Sequence, residues 1–149
     1  MDPCRCSDPR TRTTGRRSRR CCRRTGFHAR ARGSTWTSTS CSSAGAILGT
    51  AGIEVYGDVG LLRSVAVAPV AQNGGLGAAM VNGVLADAQR HRLGPLYVLT
   101  KTAARYFARR RFVPVSRHDA PAAVQASAEF QDACPATAAF MALDLAATR

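Results

Sequence analysis

The sequence has no long apolar run and no sign of a segment that enters a membrane. No stretch of its 149 residues approaches the roughly 20 consecutive apolar residues that cross a bilayer. The Arg-rich start is not followed by the apolar stretch of a secretory signal. We therefore expect a cytoplasmic protein without a membrane partner.

The first 45 residues also lack the residue types that build a hydrophobic core. They contain no Leu, Ile, Val or Glu, and Phe27 is their only Phe. Eleven Arg and two Asp give them a net charge of +9, whereas residues 46–149 carry +3. A chain of this length has room for one core. We therefore predict an Arg/Ser/Thr/Cys-rich segment at 1–45, disordered or incomplete, and a folded domain at 46–149.

Three interpretations fit residues 1–45. An Arg-rich arm can bind nucleic acid because each Arg neutralises a phosphate. Such proteins also use several aromatic residues as platforms on which bases stack, and here Phe27 and Trp36 are the only Phe, Trp or Tyr. The segment can also be a disordered tail. We favour out-of-frame translation. We back-translated residues 33–43 into codons with G or C at free third positions and read them in the shifted frame. The product is an acidic turn followed by an apolar strand that leads into Ala46. A nucleic-acid partner is therefore not expected.

The cysteines lack the spacing of a metal site. Cys4 and Cys6 are separated by a single residue, and Cys21 and Cys22 are adjacent. Zinc ligands usually come in pairs that are two to four residues apart. We therefore expect no metal.

The pattern of residues 46–149 alternates between strands and helices. The predicted strands are 47–56, 61–67, 96–100, 112–115 and 136–145. The predicted helices are the one that follows the glycines at 74–77 and runs to about residue 92, then 102–111 and 121–131. This order predicts an α/β fold with a mixed sheet and flanking helices.

A glycine-rich loop between a strand and a helix is the strongest functional signal. Gly74, Gly75 and Gly77 allow the backbone to approach a ligand closely, and the N–H groups at the helix start favour an anion such as a pyrophosphate. A P-loop is excluded because no Lys-Ser/Thr pair follows, and the Gly-x-Gly-x-x-Gly of Rossmann folds is absent.

These residues resemble a known family. Leu62 to Pro69, followed by Gln72-x-x-Gly75-x-Gly77, resembles the GNAT acetyltransferase motif Leu-x-x-x-x-Val-x-Pro and Gln/Arg-x-x-Gly-x-Gly/Ala. Residues 96–112 resemble the family's second block of strand, helix and strand, with Arg111 where the family usually has Gly. The resemblance covers about residues 46–145 and implies a mixed GNAT-type sheet.

The resemblance implies acetyl-CoA as the cosubstrate. Backbone groups at the end of the second strand would pair with the pantetheine arm, and the amides of the glycine loop would bind the pyrophosphate. The cofactor-binding residues that it implies are Val65, Ala66, Val67, Gln72, Asn73, Gly74, Gly75, Leu76, Gly77 and Ala78.

The resemblance also implies direct attack of an amine on the thioester, so the protein takes a proton from the ammonium and returns one to the thiolate. Glu54 is the candidate base, with a solvated carboxylate as the alternative. Tyr106 is the candidate acid, although Phe107 holds the position that matches the family's Tyr; side-chain packing is the alternative. Arg63 and Ser64 are candidates for binding an anionic substrate group, with a surface role as the alternative.

Residues 54–58, 61–64 and 129–135 further resemble the small N-acetyltransferases encoded in arsenic-resistance operons. We therefore expect acetyl transfer from acetyl-CoA to a small amine, with an amino-acid-like arsenical as one candidate and a homodimer as one option. The alternative is a non-catalytic or truncated remnant that keeps only cofactor binding. The family's N-terminal helices close one wall of the acceptor site, so a frameshift in residues 1–45 predicts impaired turnover.

Overall fold

The computed structural model describes residues 21–23, 30–31, 34–43, 46–133 and 135–146. The strands of this part of the chain are β1 (Cys21–Arg23), β2 (Arg30–Ala31), β3 (Ser34–Ser43), β4 (Ala46–Tyr56), β5 (Val59–Val67), β6 (Pro95–Thr100), β7 (Val113–Pro114) and β8 (Ala139–Asp144). They form one sheet in the order β1-β3-β4-β5-β6-β8-β7, with β2 paired to β3. Every pair is antiparallel except β5 with β6, which is parallel.

Three helices connect these strands. They are α1 (Leu76–Arg90), α2 (Ala104–Ala108) and α3 (Ala122–Gln125), and a π-helical turn follows at Glu129–Ala133. From β4 onward the order is strand, strand, helix, strand, helix, strand, helix, strand. The sequence-based prediction of a mixed α/β fold with flanking helices is therefore confirmed.

Two hydrophobic clusters cover the two faces of the sheet. The adjacent residues Leu61 and Leu62 point to opposite faces, as alternate residues of a strand do. Leu62 packs with the buried stripe of α1 and with Phe107. Leu61 packs with Val124 of α3 and with Phe140 of β8. Burial of these side chains on both faces stabilises the central strands, which carry the candidate site.

The last two helices are shorter than predicted. Helix α2 begins at Ala104 rather than near residue 102, because the backbone N–H of Ala103 donates to the Thr100 hydroxyl at 3.0 Å. Helix α3 ends at Gln125 rather than at 131. The Ser127 hydroxyl donates to the Val124 carbonyl at 2.6 Å and so competes with the backbone bonds that would continue the helix.

Residues 1–45 contain three of the described strands. Strand β3 pairs along its length with β4, from Thr35 opposite Val55 to Ser43 opposite Ala46. This is the place where the shifted frame predicted a hairpin partner, but the given frame supplies polar residues there. Residues 1–20, 24–29, 32–33 and 44–45 lie outside the described residues. The division at residue 45 and the frameshift stay predictions.

The backbone conformation at Arg111 explains why a Gly suits the position before Phe112. Helix α2 ends with Phe112 N–H bonded to the Phe107 carbonyl and Arg111 N–H bonded to that of Ala108. This is a Schellman ending, which places Arg111 in the left-handed region at φ 67°. Glycine adopts that conformation without the steric cost that a Cβ brings.

We expect Arg111→Gly to raise the free energy of unfolding by about 1 kcal/mol, because it removes a left-handed side chain. The control is Arg109→Gly, which removes the same charge at a right-handed position, φ −63°. In that variant the free energy of unfolding should fall by about 1 kcal/mol, the usual cost of Gly in a helical conformation. Urea unfolding measures both, and two changes of the same sign would contradict the explanation.

Candidate functional site

The parallel strands β5 and β6 separate in the middle of the sheet. Their ladder joins Gly60–Leu62 to Leu96–Val98 and ends there. Beyond it, β6 continues to Thr100 in its pairing with β8, and β5 continues to Val67 in its pairing with β4. The backbone of residues 63–67 therefore borders a gap, where an extended ligand can form strand-like hydrogen bonds.

A β-bulge bends β5 at the start of this gap. Thr50 faces Ala66 and Gly52 faces Arg63, so β5 carries one residue more than β4 between these two pairs. Ser64 has a left-handed backbone with φ 56°, and the Thr50 hydroxyl donates to the Ser64 carbonyl at 2.6 Å. Bulges turn a strand away from its neighbour and are frequent next to active sites. Ser64, predicted to bind substrate, thus shapes the gap with its backbone.

The glycine loop lies at the end of β5. After a short turn at Pro69–Ala71 the loop bends through Asn73 (φ 60°) and Gly75 (φ 78°), and α1 begins at Leu76. The first intrahelical bond runs from Ala79 N–H to the Gly75 carbonyl, and among the described residues no side chain caps the helix start. The N–H groups of residues 76–78 therefore have no acceptor within the helix and can bind an anion.

Gln72 braces the loop. Its side-chain amide donates to the Val67 carbonyl at 3.1 Å, which ties the loop to the end of β5. The predicted cofactor residues on β5 and in the loop are thus brought together. Gln72 uses its side chain for this support, whereas residues 76–78 leave backbone N–H groups without an acceptor in the helix.

Tyr106 reaches the start of α1. A Cβ built on Gly77 would lie 3.7 Å from the Tyr106 hydroxyl oxygen. That hydroxyl is buried, and it has no hydrogen-bond partner among the described residues. Phe107, the residue that matches the family's Tyr, is instead buried against Phe112, with ring centroids 5.4 Å apart. Tyr106 lies one residue before the position of the family's Tyr, and this difference places Tyr106 at the loop and Phe107 in the core.

Burial raises the pKa of the Tyr106 hydroxyl above its ordinary value. The Arg110 guanidinium lies 3.7 Å from the centre of the Tyr106 ring and partly opposes this rise in pKa. The phenol therefore keeps its proton at neutral pH, as a proton donor must.

Glu54 belongs to a charged cluster on the other face of the sheet. Its carboxylate accepts a hydrogen bond from Arg63 Nη1 at 2.9 Å, and Arg63 Nη2 lies 3.3 Å from Glu129 Oε2. Glu54 faces Leu61 across the β4–β5 ladder, so it lies on the face opposite to α1 and Tyr106. The candidate base and acid therefore stand on opposite sides of the gap.

Tyr56 and Glu129 are members of this cluster to which the sequence assigned no role in the site. Burial, then hydrogen bonding and charge from Glu54, raise the pKa of Tyr56 to about 12. Tyr56 lies two residues after Glu54 on β4, and this alternation could have placed both on one face. Glu129 is distant in sequence from Arg63, so no local pattern could have found their contact.

All three tyrosines have raised pKa values, so we predict a pH-dependent stability. Burial is the first cause for each of Tyr56, Tyr97 and Tyr106. The fold favours the neutral phenols, so this stabilisation is fully present below the ordinary pKa of 10.0. It is lost as the pH rises through the raised pKa of each tyrosine, which for Tyr56 is about 12. Tyrosinate absorbance at about pH 11 should be much lower for folded than for urea-unfolded protein. Superimposable titrations would contradict the burial.

The described residues show no group of three or more His, Cys, Asp or Glu that could hold a metal. His91 and His118 are both exposed. Every helix in the described ranges is too short or too polar to span a bilayer. The cytoplasmic location stays a prediction.

Known proteins resemble the chain in sequence and in fold. The family model "Acetyltransferase (GNAT) family" matches residues 6–112. No curated protein matches the chain significantly. N-acetylglutamate synthase of Neisseria gonorrhoeae, complexed with coenzyme A and L-arginine, has a TM-score of 0.60 and 20% identity over 72% of this chain and 24% of its own. The chain thus spans about a quarter of the synthase.

Two further solved structures match this chain over most of their own length. Rv2747 of Mycobacterium tuberculosis, solved in complex with CoA, has a TM-score of 0.58 and 28% identity over 68% of this chain and 69% of its own. The ribosomal-protein-S18-alanine N-acetyltransferase of Escherichia coli has a TM-score of 0.56 and 20% identity over 74% and 69%. With a family match over more than half of its length, the chain belongs to the GNAT acetyltransferase family.

Proposed function

We propose that this chain is an acetyl-CoA-dependent N-acetyltransferase that acts on a small amine. The observation that carries the proposal is the gap between β5 and β6, which opens beside the uncapped start of α1. Strand-like pairing along β5 suits a pantetheine arm, and the loop amides suit a pyrophosphate. Family membership and the CoA complex of Rv2747 support the same cosubstrate.

The residues on the two faces of the gap suit the two proton transfers. Glu54, on one face, takes a proton from the acceptor's ammonium, directly or through water. The neutral amine then attacks the thioester carbonyl and the C–S bond breaks. The attacking nitrogen releases its second proton to water, so that an amide and a thiolate form. Tyr106, on the other face, gives its proton to the thiolate. Positioned acids and bases of this kind contribute about 10²–10⁴-fold each.

We also propose an amino-acid-like acceptor, for which an arsenical is one candidate. The support is the likeness of residues 54–58, 61–64 and 129–135 to N-acetyltransferases of arsenic-resistance operons. In the structure Arg63 and Glu129, which belong to two of these stretches, contact each other. Arg63 lies on the Glu54 face, where its planar fork can bind an anionic group of the acceptor.

The composition of residues 1–45 favours a second candidate, an impaired member that binds acetyl-CoA but turns over slowly. In the family the acceptor lies between the central strands and the N-terminal helices. Positioning two reactants can contribute about 7–11 kcal/mol, and a missing wall forfeits much of it. We propose that out-of-frame residues before Ala46 cause this loss.

Thiol release from acetyl-CoA tests both candidates. The chain as given is compared with a version that carries the shifted-frame residues before Ala46, using a panel of small amines. We expect amine-dependent release that is slow for the first protein and much faster for the second. Equal and brisk turnover by both would refute the impairment. Absence of release by both would refute the enzyme.

A further inference from the structure

The contact between Arg63 and Glu129 takes no part in the proton transfers and bond changes described above. It joins β5 to a π-helical turn 66 residues later, on the acceptor face of the sheet. Turns of this kind are rare and are often found at functional sites. The side chains are well covered, with 22% of Arg63 and 19% of Glu129 exposed.

Several contacts fix the position of this turn. Arg117 donates to the Phe130 carbonyl at 2.9 Å and to the Pro135 carbonyl at 3.3 Å, and its guanidinium lies 4.4 Å from the Phe130 ring centre. The Phe130 N–H donates to the Ser127 hydroxyl at 3.2 Å. Glu129 is therefore held beside Arg63 by its neighbours on both sides.

The two carboxylates share one guanidinium. Glu54 is bound at 2.9 Å to Nη1, and Glu129 is 3.3 Å from Nη2. An acceptor carboxylate or phosphonate would need the same donors, because a bidentate pair uses two N–H groups of the fork. Such a ligand would meet the two negative charges that already contact the guanidinium, so it must displace Glu129, whose contact is the longer one.

We infer that Glu129 competes with the acceptor's anionic group for Arg63 and thereby sets the preference between anionic and purely cationic amines. This inference rests on the proposed function and deepens it. Glu129 is a positioning residue that acts through Arg63 and touches no reacting atom. An amine without an anionic group leaves the Arg63–Glu129 pair in place, so its acetylation does not depend on Glu129.

The test uses Glu129→Gln, which keeps the shape and removes the charge. Thiol release is measured with leucine against isopentylamine and with phenylalanine against phenethylamine, pairs that differ by one carboxylate. We expect the KM for the amino acids to fall about tenfold, with kcat and the KM for the simple amines unchanged. The control Asp132→Asn removes the same charge from an exposed position of the same turn and should change neither.

A double variant separates competition from a structural effect. In an Arg63→Ala background, Glu129→Gln should no longer change the preference between the two acceptor classes. An equal change for both classes, or no change, overturns the inference while leaving the proposed function intact. If no amine is acetylated, the proposed function fails. Calorimetric binding of leucine at saturating CoA then decides the role of Glu129, and unchanged affinity in Glu129→Gln overturns it.

Discussion

Gly75→Val is expected to lower the affinity for coenzyme A about 100-fold or more. Gly75 precedes α1 with φ 78°, a conformation that a β-branched residue adopts only at a high cost. Its replacement would turn the N–H groups of the loop away and place two methyl groups where the pyrophosphate approaches. Loss of two charge-assisted hydrogen bonds, each contributing about 1.5–3 kcal/mol, accounts for the expected factor. Titration calorimetry with CoA measures it.

Gly57 provides the matched control for this experiment. It lies in the β4–β5 turn with φ 63°, and a Cβ would meet no atom within 4 Å at either glycine. Gly57→Val should therefore cost similar stability, because the backbone strain is alike, and should leave CoA affinity unchanged. Unchanged affinity in Gly75→Val, or an equal loss in both variants, would show that the loop does not bind the cofactor.

Tyr106→Phe should lower kcat about 100-fold and leave the affinity for CoA nearly unchanged. The variant removes the proposed proton donor for the thiolate but keeps the ring under Arg110. It should not destabilise the fold, because the buried hydroxyl has no hydrogen-bond partner among the described residues. A loss of activity with stability retained is the signature of a chemical role.

Tyr97 supplies the comparison for Tyr106. Its pKa is also raised by burial. Its ring, however, stacks on Phe140 in the hydrophobic cluster that contains Leu61, with ring centroids 5.2 Å apart. Tyr97→Phe should keep kcat within about twofold of the parent, because Tyr97 packs against Phe140 and takes no part in the proposed proton transfers. Equal activities for the two variants would remove Tyr106 from the mechanism and leave its position at Gly77 as packing.

The order of the elements could be predicted because local signals mark their ends. Pro69 follows the end of β5, the glycines precede α1, and residues 47–56 have the composition of a strand where β4 lies. The loop was equally visible, since three glycines and a helix start form a local pattern. The sheet order could only come from the resemblance, because pairing between distant strands leaves no local mark.

The rest of the site depends on tertiary contacts. The bulge at Ser64 requires a left-handed non-glycine residue, which no residue preference indicates. The place of Tyr106 beside Gly77 depends on how α2 packs, and Phe107 on the neighbouring helix position had the better match to the family. The break of α3 at Ser127 and the approach of Glu129 to Arg63 join segments that are far apart in sequence.

Amide hydrogen exchange with and without CoA tests the central claim most directly, because it reports where the cofactor lies. We predict that saturating CoA slows exchange at Val65, at Val67 and at the amides of residues 73–78. Amides of β7 and of α3 should be unaffected. Binding of CoA without protection at β5 and the loop, or with protection confined to other elements, would contradict the account.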